Sequence, residues 1–169
     1  FLDKELHNDN VRFIAANSIN WARCMTQSVY FFWSYLKLPE LKRNITFSIP
    51  SGNFGHAYAG WTAKEMGLPI EKLLIATNTN DVLHQTFSTN NYAKTNVVQT
   101  LAPSMDISVA SNFERLLYNL YDDDSSLLAK NMRSFPERSI DIPEDKQELV
   151  SSFFKSYKSN DQEILEQIH

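Results

Sequence analysis

Apolar positions along this chain fall into alternating short runs and helical stripes. Val11 to Ala16 is a short apolar run that predicts a strand. Asn17, Ser18 and Asn20 then offer helix caps. Trp21, Cys24, Met25, Ser28, Phe32 and Tyr35 recur at spacings of three and four, which predicts an amphipathic helix over about 20–37, ended by Pro39. Ile45-Thr46-Phe47-Ser48-Ile49-Pro50 reads as a buried strand, and Ala57 to Met66 as a helix stopped by Gly67 and Pro69. Leu73 to Thr77 reads as the next strand. Asn78-Thr79-Asn80-Asp81 caps a short helix reaching Phe87. Residues 88–110 are polar and irregular, with a short strand expected at Ile107-Ser108-Val109. Ser111-x-x-Glu114 has the form of a capping box opening a helix to about Tyr121. Beyond Asp122-Asp123-Asp124 the pattern turns helical. Pro143 marks a helix start, Leu149, Val150, Phe153, Phe154 and Tyr157 its apolar face, and Asn160-x-x-Glu163 a further cap.

This order predicts an α/β fold, a parallel sheet with helices on both faces, followed by a helical C-terminal part. We divide the chain into an α/β core over 1–121, an acidic linker or loop over 122–142, and a helical segment over 143–169. Ligands of open parallel sheets bind beyond the carboxyl ends of strands. Ser51-Gly52-Asn53-Phe54-Gly55-His56 occupies such a place, between a strand and a helix start. Free N–H groups and the helix dipole favour an anion there, and Gly52 and Gly55 let the backbone approach a phosphate. The loop has no lysine, unlike a triphosphate-binding P-loop, and no G-x-G-x-x-G dinucleotide fingerprint. Spacing alone fits a ligand-free tight turn equally well. Asn20 and Arg23 lie three apart on one helix face, where an arginine holds phosphate bidentately; a surface arginine on a capped helix is the plainer reading. Asn78 to Asp81 leaves another strand end and either lines the same cleft or serves only as a cap.

Composition narrows the function classes. The chain has 169 residues, 43% hydrophobic and 21% charged, enough for one globular core. A net charge of −4 argues against non-specific nucleic-acid binding. No run approaches the ~18 apolar residues of a membrane span. Cys24 is the single cysteine, which excludes an internal disulfide, and we expect it to be a packing residue. The four histidines have no metal-ligand spacing, and no nucleophile elbow is present, so neither a metal site nor hydrolase chemistry is expected. The chain begins without methionine and stops inside a helical pattern. Both ends read as cuts in a longer polypeptide.

Several stretches together resemble threonine synthase, a pyridoxal-phosphate enzyme of fold type II. They are Asn17 to Arg23, Ser51 to Gly55, Ala59-Gly60, Met66 to Ile70, Ala76-Thr77-Asn78 with Asn80 to Leu83, Ser104 to Ile107, and Ser111 to Leu116. Each is short; their order over about 110 residues is specific. The resemblance implies conversion of O-phospho-L-homoserine and water into L-threonine and phosphate, with pyridoxal phosphate as electron sink. It implies that the backbone of Gly52, Asn53, Phe54, Gly55 and His56 cradles the cofactor phosphate, and that Asn20 and Arg23 serve the substrate phosphate. Histidine at 56 departs from the family's usual asparagine. The catalytic lysine is expected N-terminal to this chain, and Lys4 has no supporting motif. The chain would thus be the central part of the enzyme, inactive alone, with the rest of the polypeptide as its partner and the cytosol as its compartment. A relative acting on another amino-acid phosphate, or a non-enzymatic ligand-binding domain on the same scaffold, are the other readings.

Overall fold

The computed structural model describes residues 17–39 and 43–168. The strand expected at 11–16 and Lys4 lie outside the described residues. Helix α1 (Trp21–Leu36) leads into strand β1 (Ile45–Pro50), helix α2 (Gly55–Glu65) and strand β2 (Ile70–Thr77). Helix α3 (Val82–Thr89), a two-residue strand β3 (Asn91–Tyr92) and a 3-10 turn (Pro103–Met105) follow. Then come α4 (Phe113–Leu120), α5 (Ser125–Ser134), β4 (Ile140–Asp141), α6 (Glu144–Phe153), β5 (Phe154–Lys158) and α7 (Asp161–Ile168).

Strands β1, β2 and β5 form one parallel sheet with β2 central, and β3 pairs antiparallel with β4. The β1–α2–β2 unit is the crossover that parallel pairing demands. Ile49 lies opposite Ile75, and Leu73 opposite Phe154, so these side chains share one face and are buried. Across that face pack α1, through Phe31 edge-on to Phe47 at 4.8 Å, and α2, through Trp61 stacked on Phe154 at 5.8 Å. Phe87 of α3 stacks on Phe154 at 4.9 Å. The opposite face carries exposed Thr46, Ser48, Pro50, Lys155 and Tyr157 around half-buried Leu74 and Ala76. A Cβ on Gly60 would lie 3.0 Å from both Leu73 and Phe31, so glycine is what lets α1, α2 and β2 meet so closely.

Four expectations are corrected. Phe154 to Lys158 is a strand, not the end of a helix. Phe154 joins β2 and buries its ring among aromatics, which outweighs the helical spacing. The acidic stretch opens a helix, because Asp124 caps α5 by accepting from the N–H groups of Ser126 and Leu127 at 2.9 Å. The capping box at Ser111 does not form. Asn112 is the N-cap residue of α4, and Ser111 Oγ has no hydrogen-bond partner. Ile107 to Val109 is not a strand, since its neighbours hold it as a loop: Thr95 N–H donates to Ser108 O at 3.1 Å. The Asn160–Glu163 box does form, with reciprocal bonds of 2.9 and 3.0 Å. No helix among the described residues is long and apolar enough to cross a membrane.

Candidate phosphate site at the carboxyl end of the sheet

Three strands end together here. Ser51 N–H donates to Ala76 O at 2.9 Å, and Ser159 N–H to Thr77 O at 3.0 Å, so the ladder runs to the last residue of β2. After Ser51 the chain leaves the sheet and α2 begins at Gly55. The first bond returning to this turn is Tyr58 N–H to Phe54 O at 2.8 Å. The N–H groups of Gly52, Asn53, Phe54, Gly55, His56 and Ala57 find no acceptor among the described residues. A helix start leaves only its own first few N–H groups unpaired. Here the preceding turn extends the run, giving a concave nest of donors for an anion.

Phe54 sets this geometry. It is the N-cap residue of α2 at φ 65° and ψ 0°, in the left-handed region. That conformation costs a non-glycine residue roughly 1–2 kcal/mol. Its ring compensates by burial against Phe113 at 5.3 Å, Phe154 at 5.8 Å and Phe87 at 6.0 Å. The aromatic core therefore fixes the backbone of the loop.

A cavity of about 170 Å³ opens on the turn, lined by Ser51 to His56 with Ser18, Arg23 and Gln27. The sequence-predicted Gly52, Asn53, Phe54, Gly55, His56 and Arg23 are thus brought together. Asn20 is not among the lining residues; its side chain accepts from Ala22 N–H at 2.9 Å and caps α1. Gln27 was not foreseen, although it lies one helical turn beyond Arg23 on the same face. Its Oε1 is 3.2 Å from His56 Nδ1, a bond that forms when Nδ1 carries the proton. The His56 ring packs at 4.8 Å from Phe31. Burial lowers the His56 pKa, so the ring is neutral at pH 7 and the fixed charge of the cavity is the Arg23 guanidinium. Among the described residues no acidic side chain lines the cavity. Donors, one cation and no carboxylate suit a phosphate. The volume falls short of the ~300 Å³ of a small-ligand pocket and suits the phosphate end of a larger molecule.

A larger hollow of about 610 Å³ lies elsewhere, against Trp21, Trp61, Lys64, Asp122 and Lys146. Lys146 binds Asp122 at 2.8 Å and Lys64 donates to Ile70 O at 2.8 Å, so its cations are already engaged. The smaller cavity is the candidate site, because the backbone N–H groups of its turn have no acceptor among the described residues.

Asp106 was also not foreseen. Its carboxylate accepts from Asn78 and Asn80 side-chain amides at 2.8 Å, from Thr100 Oγ1 at 2.7 Å and from Thr100 N–H at 2.9 Å. Asn78 and Asn80 therefore clamp the loop over 98–106 to the end of β2 rather than line the cleft. Asp81 instead pairs with Lys158 at 2.9 Å. The clamp brings Ser104 and Met105 over the turn, where a Cβ on Gly52 would sit 3.5 Å from Met105 Cα. The Thr100 hydroxyl foremost, with the Thr100 N–H and both asparagine amides, holds the Asp106 pKa below the ordinary carboxylate range, against a smaller effect of desolvation. A lowered carboxylate pKa contributes stability above its unfolded value, lost as pH falls through the folded one. Amide exchange at Val98 and Thr100 is therefore expected to accelerate below about pH 4 and, at neutral pH, in Asp106→Ala. Unchanged protection in that variant would remove Asp106 as the clamp.

An open parallel sheet with a donor-lined turn at its carboxyl end defines an α/β domain of the open-sheet class. More narrowly, the chain belongs to the threonine synthase family. It is 41% identical over 158 residues to threonine synthase of Pseudomonas aeruginosa, covering 93% of this chain and 34% of that protein. It is 41% identical over 163 residues to the Saccharomyces cerevisiae enzyme, covering 95% of this chain and 29% of that protein. The crystal structure of pyridoxal-phosphate-bound threonine synthase from Brucella melitensis superposes with a TM-score of 0.80 at 43% identity, over 86% of this chain and 32% of that one. No family profile matches. The chain spans about a third of the length of these relatives.

Proposed function

We propose that the protein containing this chain is a threonine synthase, which converts O-phospho-L-homoserine and water into L-threonine and phosphate with pyridoxal phosphate as cofactor. The observation that carries the reading is the run of unpaired N–H groups from Gly52 to Ala57. When bound, the cofactor supplies the electron sink that lets protons leave carbon. The residues of this chain bind and orient. The backbone of Gly52, Asn53, Phe54, Gly55 and His56 holds the cofactor phosphate. Arg23 serves the substrate phosphate, and Asn20 supports it by capping the helix that carries it. Met105, held by the Asp106 clamp, covers the turn and limits water there. Among the described residues no lysine lines the cavity, which is compatible with an imine-forming lysine supplied from elsewhere in the polypeptide.

The test is an assay of the full-length protein with O-phosphohomoserine, following phosphate and threonine together. Equal release of both is the expected result. Phosphate released from a different amino-acid phosphate, with no threonine from O-phosphohomoserine, would replace this substrate while keeping the site.

A further inference from the structure

Asn112 is fully buried and lies far from the glycine turn in sequence, yet it holds that turn from behind. Its backbone N–H donates to Asn53 O at 3.0 Å, and its side-chain Nδ2 donates to the same oxygen at 3.1 Å. Nδ2 also donates to Ser18 O at 2.9 Å. Its Oδ1 accepts from Arg115 Nε at 3.0 Å, while the Cys24 thiol lies 3.5 Å away. Every polar atom of the amide is thus engaged, and Ser18 and Asn53, from two walls of the cavity, are tied to one side chain.

The geometric consequence follows from peptide planarity. The Asn53–Phe54 bond is trans, so the Phe54 N–H points opposite to the Asn53 carbonyl. Two donors from Asn112 fix that carbonyl on the α4 side. The Phe54 N–H is thereby turned away from α4. A flip of this one peptide would place a carbonyl oxygen where an anion needs a donor.

We propose that Asn112 is a positioning residue that aims the Phe54 N–H at the phosphate of the bound cofactor. The inference rests on the reading of the cavity as a pyridoxal-phosphate site. It assigns to the Ser111–Leu116 block a part in phosphate recognition without contact to the ligand.

The experiment compares the full-length protein with Asn112→Leu, which keeps the volume but removes the amide, and with Asn112→Ala, which cannot clash. Affinities for pyridoxal phosphate and for pyridoxal, which lacks the phosphate, are measured by absorbance titration, with thermal unfolding run alongside. Each substitution removes the Nδ2 donor and leaves the Asn112 backbone N–H on Asn53 O, so the peptide is loosened and pyridoxal phosphate is expected to bind about tenfold more weakly, with pyridoxal within about threefold. An equal loss for both ligands in the variants would make Asn112 a fold residue only and overturn the inference. Two insoluble variants would do the same. A wild-type protein with no preference for pyridoxal phosphate over pyridoxal would instead overturn the site itself.

Discussion

Phe54→Ala is expected to lower the stability of the protein by about 3–5 kcal/mol, the usual loss for truncating a buried phenylalanine. The ring is 1% exposed and touches three other phenylalanines. The more telling comparison is with Phe54→Gly. Inside a helix glycine is worse than alanine by up to about 1 kcal/mol. At φ 65° the order reverses, because alanine retains the left-handed strain and glycine does not. Denaturant unfolding should therefore find Phe54→Gly more stable than Phe54→Ala by about 1 kcal/mol. The ordinary order, with alanine the better residue, would show that the turn relaxes once the ring is gone and that the left-handed geometry is not imposed on it.

Gly55→Leu is expected to abolish useful cofactor binding. A Cβ at this position would sit 3.3 Å from Asn112 Nδ2 and 3.6 Å from Cys24 Sγ. Alanine can be accepted by a shift of a few tenths of an ångström. A leucine side chain continues into the Asn112 amide, and either α2 or α4 has to retreat. A displacement of about 1 Å at a site of this kind costs on the order of a hundredfold. Titration with pyridoxal phosphate measures it, and wild-type affinity in Gly55→Leu would rule out the turn as the cradle. Circular dichroism of the same sample separates loss of the site from loss of the fold.

The elements that a local pattern can encode were legible. The stripe from Trp21 to Tyr35 gave α1, and the apolar run at Ile45 to Ile49 gave β1. The glycine turn and Arg23 were picked out as candidates from residue type and place, and the structure brings them to one cavity. The misreadings share one cause. Phe153 and Phe154 fit both a helix stripe and a strand start, and only the aromatic cluster formed by distant residues decides between them. Ser111 had the letters of a capping box, but Asn112 is drawn to Asn53 and Ser18, whose carbonyls lie 59 and 94 positions away. Asp106 likewise shows its role only once Asn78, Asn80 and Thr100 surround it. What escaped the sequence is side-chain chemistry whose partners the fold brings in from elsewhere. The chain over 51–56 was visible as a strand-to-helix turn, while the partners that shape it, the aromatic core around Phe54 and Asn112, were not.

Tyr92 closes the neck of the long connection between β3 and α4. Its phenol donates to Ala110 O at 3.2 Å and accepts from Ala110 N–H at 2.9 Å, standing in for a strand partner at a single residue. Burial foremost, with Glu114 adding to it and the Ala110 backbone bond partly opposing it, pushes its pKa up to about 12, so the proton donated to Ala110 O is retained throughout the neutral and mildly alkaline range. Tyr92 at its base and the Asp106 clamp over 98–106 hold this connection on both sides of the exposed stretch around Asn96. Doubling its length adds only about 0.6 kcal/mol of closure entropy, and the helix beyond Ala110 need not feel the change. The tip around Asn96 is therefore a place on this domain where residues can be inserted, labels attached or sequence exchanged while the glycine turn stays as it is.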